Sequence, residues 1–260
     1  EIMAVLAELK HVRKSLKKWM KPVPVKATIS FLGTFSKIVR EPKGVTLVVS
    51  PWNYPFNLTF GPMIWSIAAG NTVIIKPSEM TPNMSAVIAE IVKEAFRPEE
   101  VSLFEGEVDV ASYLTSLPFD HIFFTGSPAV GKLVMASAAK NLTSVTLELG
   151  GKSPVIVDKT ANIKKAVQSI AWGKFSNNGQ TCIAPDYLYV HDSIKDKFLT
   201  EMTTCIKKQY GLDNDAKGND DYCQVVNDGH YRRISNLLAD AKARGGHLIT
   251  GGQTDDNDRF

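Results

Sequence analysis

Cysteine is scarce in this chain, which carries three among its 260 residues. Cys182, Cys205 and Cys223 form an odd set without a C-x-x-C pair, and no cluster of histidines accompanies them. The sequence therefore predicts neither a disulfide framework nor a structural zinc site, and we expect no bound metal. Unpaired thiols are typical of a reducing compartment, so we expect a cytoplasmic protein.

Long apolar runs and a surplus of one charge are also missing. No stretch reaches the roughly 18 apolar residues that a membrane-spanning helix requires, and no signal-peptide pattern is present. The 30 basic and 27 acidic residues give a net charge of +3, which is too balanced to predict a nucleic-acid partner. We interpret the locally basic residues 10–21 as the solvated face of a helix.

The two ends of the chain are unusual. The first residues lack an initiator Met and already follow a helical period, and the last ten contain no terminating element. We therefore expect an internal part of a longer polypeptide.

Short apolar runs alternate with helical segments from residue 44 onward, which predicts an α/β fold. The pattern places strands at 45–50, 71–76, 101–104, 121–125 and 144–149, with helices at 62–69, 83–96, 109–116 and 129–140. Right-handed crossovers of this kind build a doubly wound, Rossmann-type parallel sheet. Its ligand crevice lies beyond the carboxyl ends of the strands.

A second α/β unit is predicted after the glycines at 150 and 151. Strands are expected at 153–158, 186–190 and 247–250, with helices at 163–175, 194–210 and 229–244. Between the opening helix and the first strand, residues 21–44 are rich in β-branched and aromatic types. These residues predict extended, paired strands, either as an oligomer contact or as a surface hairpin.

Polar residues follow several of the predicted strands. Asn53 follows the first, Lys76 and Glu79 follow the second, GSPAVGK (126–132) follows the fourth, and Glu148 is near the end of the fifth. Taken singly, each has an ordinary structural explanation, such as capping of a helix by Ser127. Taken together at one edge of a parallel sheet, they favour a dinucleotide site.

Cys182 ends the polar run NNGQTC. Because composition argues against a disulfide or a metal, a nucleophile and a small core residue remain, and the polar neighbours argue against the core. An ionised thiol, the Glu148 carboxylate as a base and the Asn53 amide as an oxyanion donor would suit aldehyde or acyl chemistry. We expect Cys205, within a helix, and Cys223, in a loop, to be structural or idle.

Five motifs carry a family resemblance. PWNYP, IIKPSE, GSPAVGK, LELGGKSP and FSNNGQTC occur here in the order and spacing that aldehyde dehydrogenases show. PWNYPFNL, AWGKF and CIAPDY are most similar to the class 3 branch, which handles fatty and aromatic aldehydes. The resemblance implies a Rossmann-type NAD(P)-binding domain formed by residues 1–20 and 44–149. It also implies part of a bridging, oligomerising arm at 21–43 and the beginning of a catalytic domain at 150–260.

The same resemblance implies roles for individual residues. Cys182 would attack the aldehyde, Asn53 and the Cys182 N–H would hold the oxyanion, and Glu148 would activate the water that releases the acid. Further residues would contact the cofactor: Lys76 and Glu79 at the adenosine ribose, together with Trp52, Gly126, Ser127, Gly131 and Leu149. NAD is expected and NADP is possible, because Glu79 would repel a 2′-phosphate whereas Lys76 would partly offset it. The full-length protein would be a homodimer that acts on a small-molecule aldehyde.

Two departures from the family pattern are visible. Pro128 stands where the family often has Thr, and the family's later E-I-F-G-P motif has no match. We therefore expect this part of the chain by itself to bind the cofactor weakly and to be inactive. Two alternatives stay open beside aldehyde oxidation, although Glu148 as a hydrolytic base favours the oxidation. One is an acyl-CoA or acyl-phosphate reductase of the same fold, and the other is an inactive scaffold.

Overall fold

The computed structural model describes residues 1–211, 218–219 and 221–259. Helices in this part of the chain are α1 (Ile2–Trp19), α2 (Asn57–Ala68), α3 (Pro82–Ala95), α4 (Val108–Ser116), α5 (Pro128–Ala139), α6 (Ile163–Phe175), α7 (Lys195–Tyr210) and α8 (Asp228–Ala243). Strands are β1 (Val23–Val25), β2 (Ser36–Ile38), β3 (Val45–Val49), β4 (Thr72–Lys76), β5 (Val101–Leu103), β6 (His121–Gly126), β7 (Ser144–Leu149), β8 (Ser153–Val157) and β9 (Pro185–Val190). The chain divides into two compact units, Glu1–Leu149 and Gly150–Phe260.

The first unit is built on a five-stranded sheet in the order β5-β4-β3-β6-β7. All four neighbouring pairs are parallel, which confirms the predicted doubly wound sheet. The strand order reverses between β3 and β6. In open sheets of this kind, ligands bind beyond the carboxyl ends of the strands at this switch point.

Successive side chains of the strands point to opposite faces of the sheet and pack into two separate cores, one on each face. Val48 joins the core formed with α1, α2 and α3, whereas Leu47 and Val49 join the core formed with α4 and α5. Burial on both faces explains why these strands read as continuous apolar runs rather than as alternating ones.

Helix α2 begins five residues earlier than predicted. The sequence suggested that Pro62 opens the helix, but the structure places Pro62 inside it. Thr59 and Phe60, which precede the proline, are buried against the sheet. Their packing therefore outweighs the backbone hydrogen bond that a proline inside a helix removes.

The second unit contains a parallel pair formed by β8 and β9, and its core combines Val157, Val167, Ile170 and Phe198. The prediction of a strand at residues 247–250 is wrong. These residues adopt no strand pairing, although their β-branched content suggested one, because β-propensity needs a partner strand.

The predicted extended pairing between residues 21 and 44 is confirmed. Strands β1 and β2 pair antiparallel, with Val23 opposite Ile38. The tip between them exposes large apolar side chains, including Ile29, Leu32 and Phe35. None of the helices described is long and apolar enough to cross a membrane.

His121 opens strand β6 and is half-buried. Its Nδ1 lies 2.8 Å from Ser144 Oγ and its Nε2 lies 3.0 Å from Thr146 Oγ1. Burial, with a smaller repulsion from Lys43, lowers the pKa of this imidazole. The unfolded chain therefore takes up a proton at a higher pH than the folded chain does.

We predict that the protein loses stability as the pH falls below about 6.5, the ordinary pKa of histidine. The loss continues down to the lowered pKa of folded His121, because protonation favours the unfolded chain in that interval. His121→Gln, which keeps polar atoms for Ser144 and Thr146, should show a smaller drop in the urea midpoint between pH 7.5 and 5.5 than the wild type. An equal drop in both proteins would contradict the prediction.

Candidate active site

The loop after β3 is held by a buried hydroxyl pair. Thr59 Oγ1 lies 2.7 Å from Ser50 Oγ and donates to the Pro55 carbonyl at 2.6 Å. These contacts tie the start of α2 to the end of β3. Trp52 and Asn53, both half-buried, therefore lie in a restrained loop at the carboxyl edge of the sheet.

Lys76 and Glu79 form an ion pair at the end of β4, with 2.8 Å between Nζ and Oε2. The lysine side chain is 3% exposed and the glutamate side chain 35% exposed. Burial alone raises the pKa of the Glu79 carboxyl, but hydrogen bonds from Lys76 and from its own backbone, with the lysine charge, hold the pKa below its usual value. The sequence placed both residues at one ribose but did not predict that they pair with each other.

The glycine turn after β6 caps α5. Ser127 Oγ accepts a hydrogen bond from the Val130 N–H at 3.3 Å, and Pro128 occupies the first turn. The capping explanation for Ser127 is therefore confirmed. It is compatible with anion binding, because the helix N-terminus still carries the positive end of the dipole.

Gly126 and Gly131 allow close packing beside this turn. A Cβ on Gly126 would lie 2.4 Å from the Phe124 ring, and one on Gly131 would lie 2.9 Å from Leu149 Cδ2. The absence of a side chain at Gly131 thus lets α5 pack against Leu149 of the sheet, and its absence at Gly126 leaves space for the Phe124 ring of the same strand. Any contact they make with a cofactor stays a prediction.

Glu148 is exposed on β7 and lies in register with Thr125 of β6. Thr125 is 91% buried, yet its hydroxyl has no hydrogen-bond partner among the described residues. A buried hydroxyl without a partner is unfavourable, so a polar ligand at this edge would satisfy it. The capped α5 N-terminus, the Glu79 carboxylate and this hydroxyl are chemically suited to a dinucleotide. No sequence pattern had singled out Thr125.

Cys182 lies in the second unit, between α6 and β9, and is exposed. The expectation that it is not a core residue is confirmed. Its loop begins with three successive residues in the left-handed region: Asn177 at φ 53°, Asn178 at 52° and Gly179 at 70°. Asparagine and glycine tolerate this region best, which explains the composition of NNGQTC.

The glycine pair that opens the second unit also bears on Cys182. A Cβ on Gly151 would lie 2.9 Å from the Cys182 carbonyl oxygen, whereas nothing lies within 4 Å of one on Gly150. The absence of a side chain at Gly151 therefore lets its backbone approach the cysteine turn within the second unit.

Cys223, which the sequence left as structural or idle, contacts this loop. Its thiol donates to Asn177 Oδ1 at 3.4 Å. Burial raises the pKa of the Cys223 thiol, and its contact with Asn177 fits the expected structural role. The contact spans 46 positions in sequence, and no local pattern could have predicted it. The three cysteines are free, and no group of metal-ligating side chains occurs in the described ranges.

The structure therefore brings Asn53, Lys76, Glu79 and Glu148 to one edge of a single sheet, while Cys182 is held in the other unit. A doubly wound sheet joined in one chain to an α/β unit with an exposed thiol is an architecture suited to thiol-dependent, dinucleotide-dependent oxidoreductases. The chain belongs to the aldehyde dehydrogenase family, whose model matches residues 1–260.

Known proteins agree with this assignment. The chain is 46% identical over 260 residues to 4,4'-diaponeurosporen-aldehyde dehydrogenase of Staphylococcus aureus, covering all of this chain and 56% of the relative. It is 44% identical to the dimeric NADP-preferring aldehyde dehydrogenase of Mus musculus, covering 95% of this chain and 54% of the relative. Family 3 member A2 proteins are further relatives, which confirms the similarity to class 3.

Solved structures share the fold. The substrate-bound state of Staphylococcus aureus AldH superposes with a TM-score of 0.92 at 45% identity, covering all of this chain and 56% of that one. A structure of PnpE in complex with nicotinamide adenine dinucleotide matches with a TM-score of 0.86 at 30% identity, covering 98% and 52%. The chain spans about half the length of the curated relatives it matches.

We predict that Gly151→Ala destabilises the second unit by about 1–3 kcal/mol, because the added methyl overlaps the Cys182 carbonyl. Gly150→Ala is the matched control and should change stability by less than about 0.5 kcal/mol. Urea unfolding followed by circular dichroism measures both variants. Equal changes in the free energy of unfolding at the two positions would show that the close approach of Gly151 to the Cys182 carbonyl does not affect stability.

Proposed function

We propose that this chain supplies the cofactor-binding and nucleophile-bearing parts of an enzyme that oxidises aldehydes to carboxylic acids. The family match over the whole chain carries the proposal. The exposed thiol of Cys182 and the exposed carboxylate of Glu148 support it, because both groups are accessible to small molecules.

The chemistry assigns one role to each side chain. Cys182 Sγ attacks the aldehyde carbon to give a thiohemiacetal, whose oxygen accepts hydrogen bonds from Asn53 Nδ2 and the Cys182 N–H. A nicotinamide cofactor, when bound, supplies the hydride acceptor, so that the thiohemiacetal becomes a thioester. Glu148 takes a proton from water, the water oxygen bonds to the thioester carbon, and the carbon–sulfur bond breaks.

The first unit is proposed to hold the dinucleotide. Glu79 would accept hydrogen bonds from the adenosine ribose, and Lys76 would keep that carboxylate ionised and in place. The α5 N-terminus, with Gly126 and Ser127, would lie at the pyrophosphate, while Trp52, Gly131 and Leu149 would line the same region. We propose NAD as the preferred cofactor, with NADP as a second possibility.

The arm that contains β1 and β2 is proposed to join two copies in the full-length enzyme. Its strands leave an exposed edge and its tip exposes Phe35 and Leu32, which suits a homodimer contact. A cytoplasmic location and apolar aldehydes as substrates are proposed on the free thiols and on the similarity to class 3. We propose no nucleic-acid partner, in view of the balanced charge.

Cys182→Ser should lower aldehyde oxidation by the full-length protein by at least roughly a thousandfold and abolish any esterase activity, because the nucleophile is lost. Cys205→Ser is the matched control and should keep most of the activity. Both rates are measured with a panel of aliphatic and aromatic aldehydes. Retained turnover in Cys182→Ser would overturn the proposed function.

Glu148→Gln should leave a single burst of NADH but little steady-state turnover, since the thioester forms and is not hydrolysed. Rapid mixing followed by absorbance at the NADH band separates the two phases. If turnover continues at the wild-type rate, Glu148 is not the base. If the burst is followed by turnover only when coenzyme A is supplied, the reductase alternative is favoured.

Glu79→Gln should raise the ratio of kcat/KM for NADP to that for NAD by about tenfold, or about 1.4 kcal/mol, because a negative charge facing the 2′-phosphate is removed. Glu100→Gln is the control, since Glu100 pairs with Arg97 at the same i, i+3 spacing but at the amino end of β5. An unchanged ratio in Glu79→Gln would place this residue away from the ribose.

A further inference from the structure

The nucleophile loop, residues 177–182, adopts a conformation that it cannot hold by itself. Asn177, Asn178 and Gly179 are consecutive left-handed residues. Only glycine enters this region freely, and asparagine does so at a cost, so a run of three requires support from outside the loop.

That support comes from the supporting segment, residues 222–226. The Gln180 side chain uses both ends of its amide there: Oε1 accepts from the Val226 N–H at 3.0 Å, and Nε2 donates to the Gln224 carbonyl at 3.2 Å. Gln180 Nε2 also donates to the Asn177 carbonyl at 3.2 Å. Gln180, which precedes Cys182 by two residues, therefore connects the supporting segment to the start of the loop at Asn177.

Tyr222 makes a second, independent connection. Its hydroxyl donates to Asn178 Oδ1 at 2.7 Å. Its ring lies 6.3 Å from Phe175 and 5.9 Å from Tyr210, measured between ring centroids. Packing in this aromatic cluster orients the hydroxyl toward the loop, and burial raises the pKa of Tyr222.

The supporting segment is itself anchored. The Arg259 guanidinium donates to the Val226 carbonyl at 3.0 Å. Asn227, the next residue, caps α8 by accepting a hydrogen bond from the His230 N–H at 2.9 Å. The loop is thus connected, through the supporting segment, to helix α8.

We infer that Tyr222 and Gln180 are positioning residues, which hold the nucleophile loop in one conformation and thereby set the position of Cys182. The inference rests on the proposed function, in which Cys182 is the nucleophile. Both residues act through the loop. Tyr222 donates a hydrogen bond to Asn178, and Gln180 bonds to Gln224 and Val226 of the supporting segment.

Hydrogen exchange on the full-length protein tests whether the segment holds the loop, without any catalysis. Tyr222→Phe removes only the hydroxyl, so the amides of residues 177–182 should exchange roughly three- to tenfold faster, as the loss of one hydrogen bond allows. Tyr210→Phe is the matched control, because it alters the same aromatic cluster and removes no hydrogen bond to the described loop. Equal exchange in the two variants would overturn the inference.

Steady-state kinetics test whether that restraint serves Cys182. In Tyr222→Phe, kcat should fall roughly tenfold while the KM for the cofactor stays unchanged, since misplacing a reacting group slows the chemical step. Asn178→Gly keeps the left-handed backbone but removes the acceptor of the tyrosine hydroxyl. It should lower kcat to a similar extent, and adding Tyr222→Phe to it should cause no further loss.

The kinetic outcomes separate the two claims. Faster exchange with an unchanged kcat, or losses that multiply in the double variant, would overturn the positioning role. Turnover that survives Cys182→Ser would overturn both the proposed function and the positioning role, whereas the exchange measurement would still decide whether residues 222–226 hold the loop.

Discussion

Parallel pairing in the first sheet is the constraint on which the candidate cofactor site depends. Because β3, β4, β6 and β7 run in one direction, their carboxyl ends meet at a single edge. Residues separated by almost one hundred positions therefore come to the same edge, as Asn53 does after β3 and Glu148 does near the end of β7. The strand order reverses between β3 and β6, and ligands of open parallel sheets bind at such a point. Helices on both faces shield the sheet from water.

The Lys76–Glu79 pair shows how charge is accommodated at that edge. Lys76 ends a buried strand and would be unfavourable there without a partner. Its partner is three residues away, on the chain that leads into α3, and remains partly exposed. A buried pair of this kind contributes little net stability, because desolvation offsets the attraction. The pair instead orients the Glu79 carboxylate: the Lys76 ammonium is buried, while the carboxylate is partly exposed to solvent, where a ribose could reach it.

Local patterns predicted what depends on short stretches of sequence. The strands of the sheet, the cap at Ser127 and the exposed thiol of Cys182 all followed from neighbouring residues. The errors arose where distant packing decides. Pro62 was taken as a helix start, although buried residues before it extend α2, and residues 247–250 had the composition of a strand but no partner. The contact of Cys223 with Asn177 and the burial of the Thr125 hydroxyl could not be predicted for the same reason, since both depend on packing between residues far apart in the sequence.

The strained backbone of the nucleophile loop is stabilised by residues 222–226, which are more than 40 positions away in the sequence. Left-handed asparagines each cost roughly 1 kcal/mol, so NNG alone would relax to other conformations. The hydrogen bonds from Gln180 and Tyr222 offset that cost only when residues 222–226 are in place. Any change that detaches this segment, even one near α8, should therefore release the loop before it unfolds the core formed by Val157, Val167 and Phe198. Because the core and the loop depend on different contacts, the protein can keep its fold and still lose the position of its thiol.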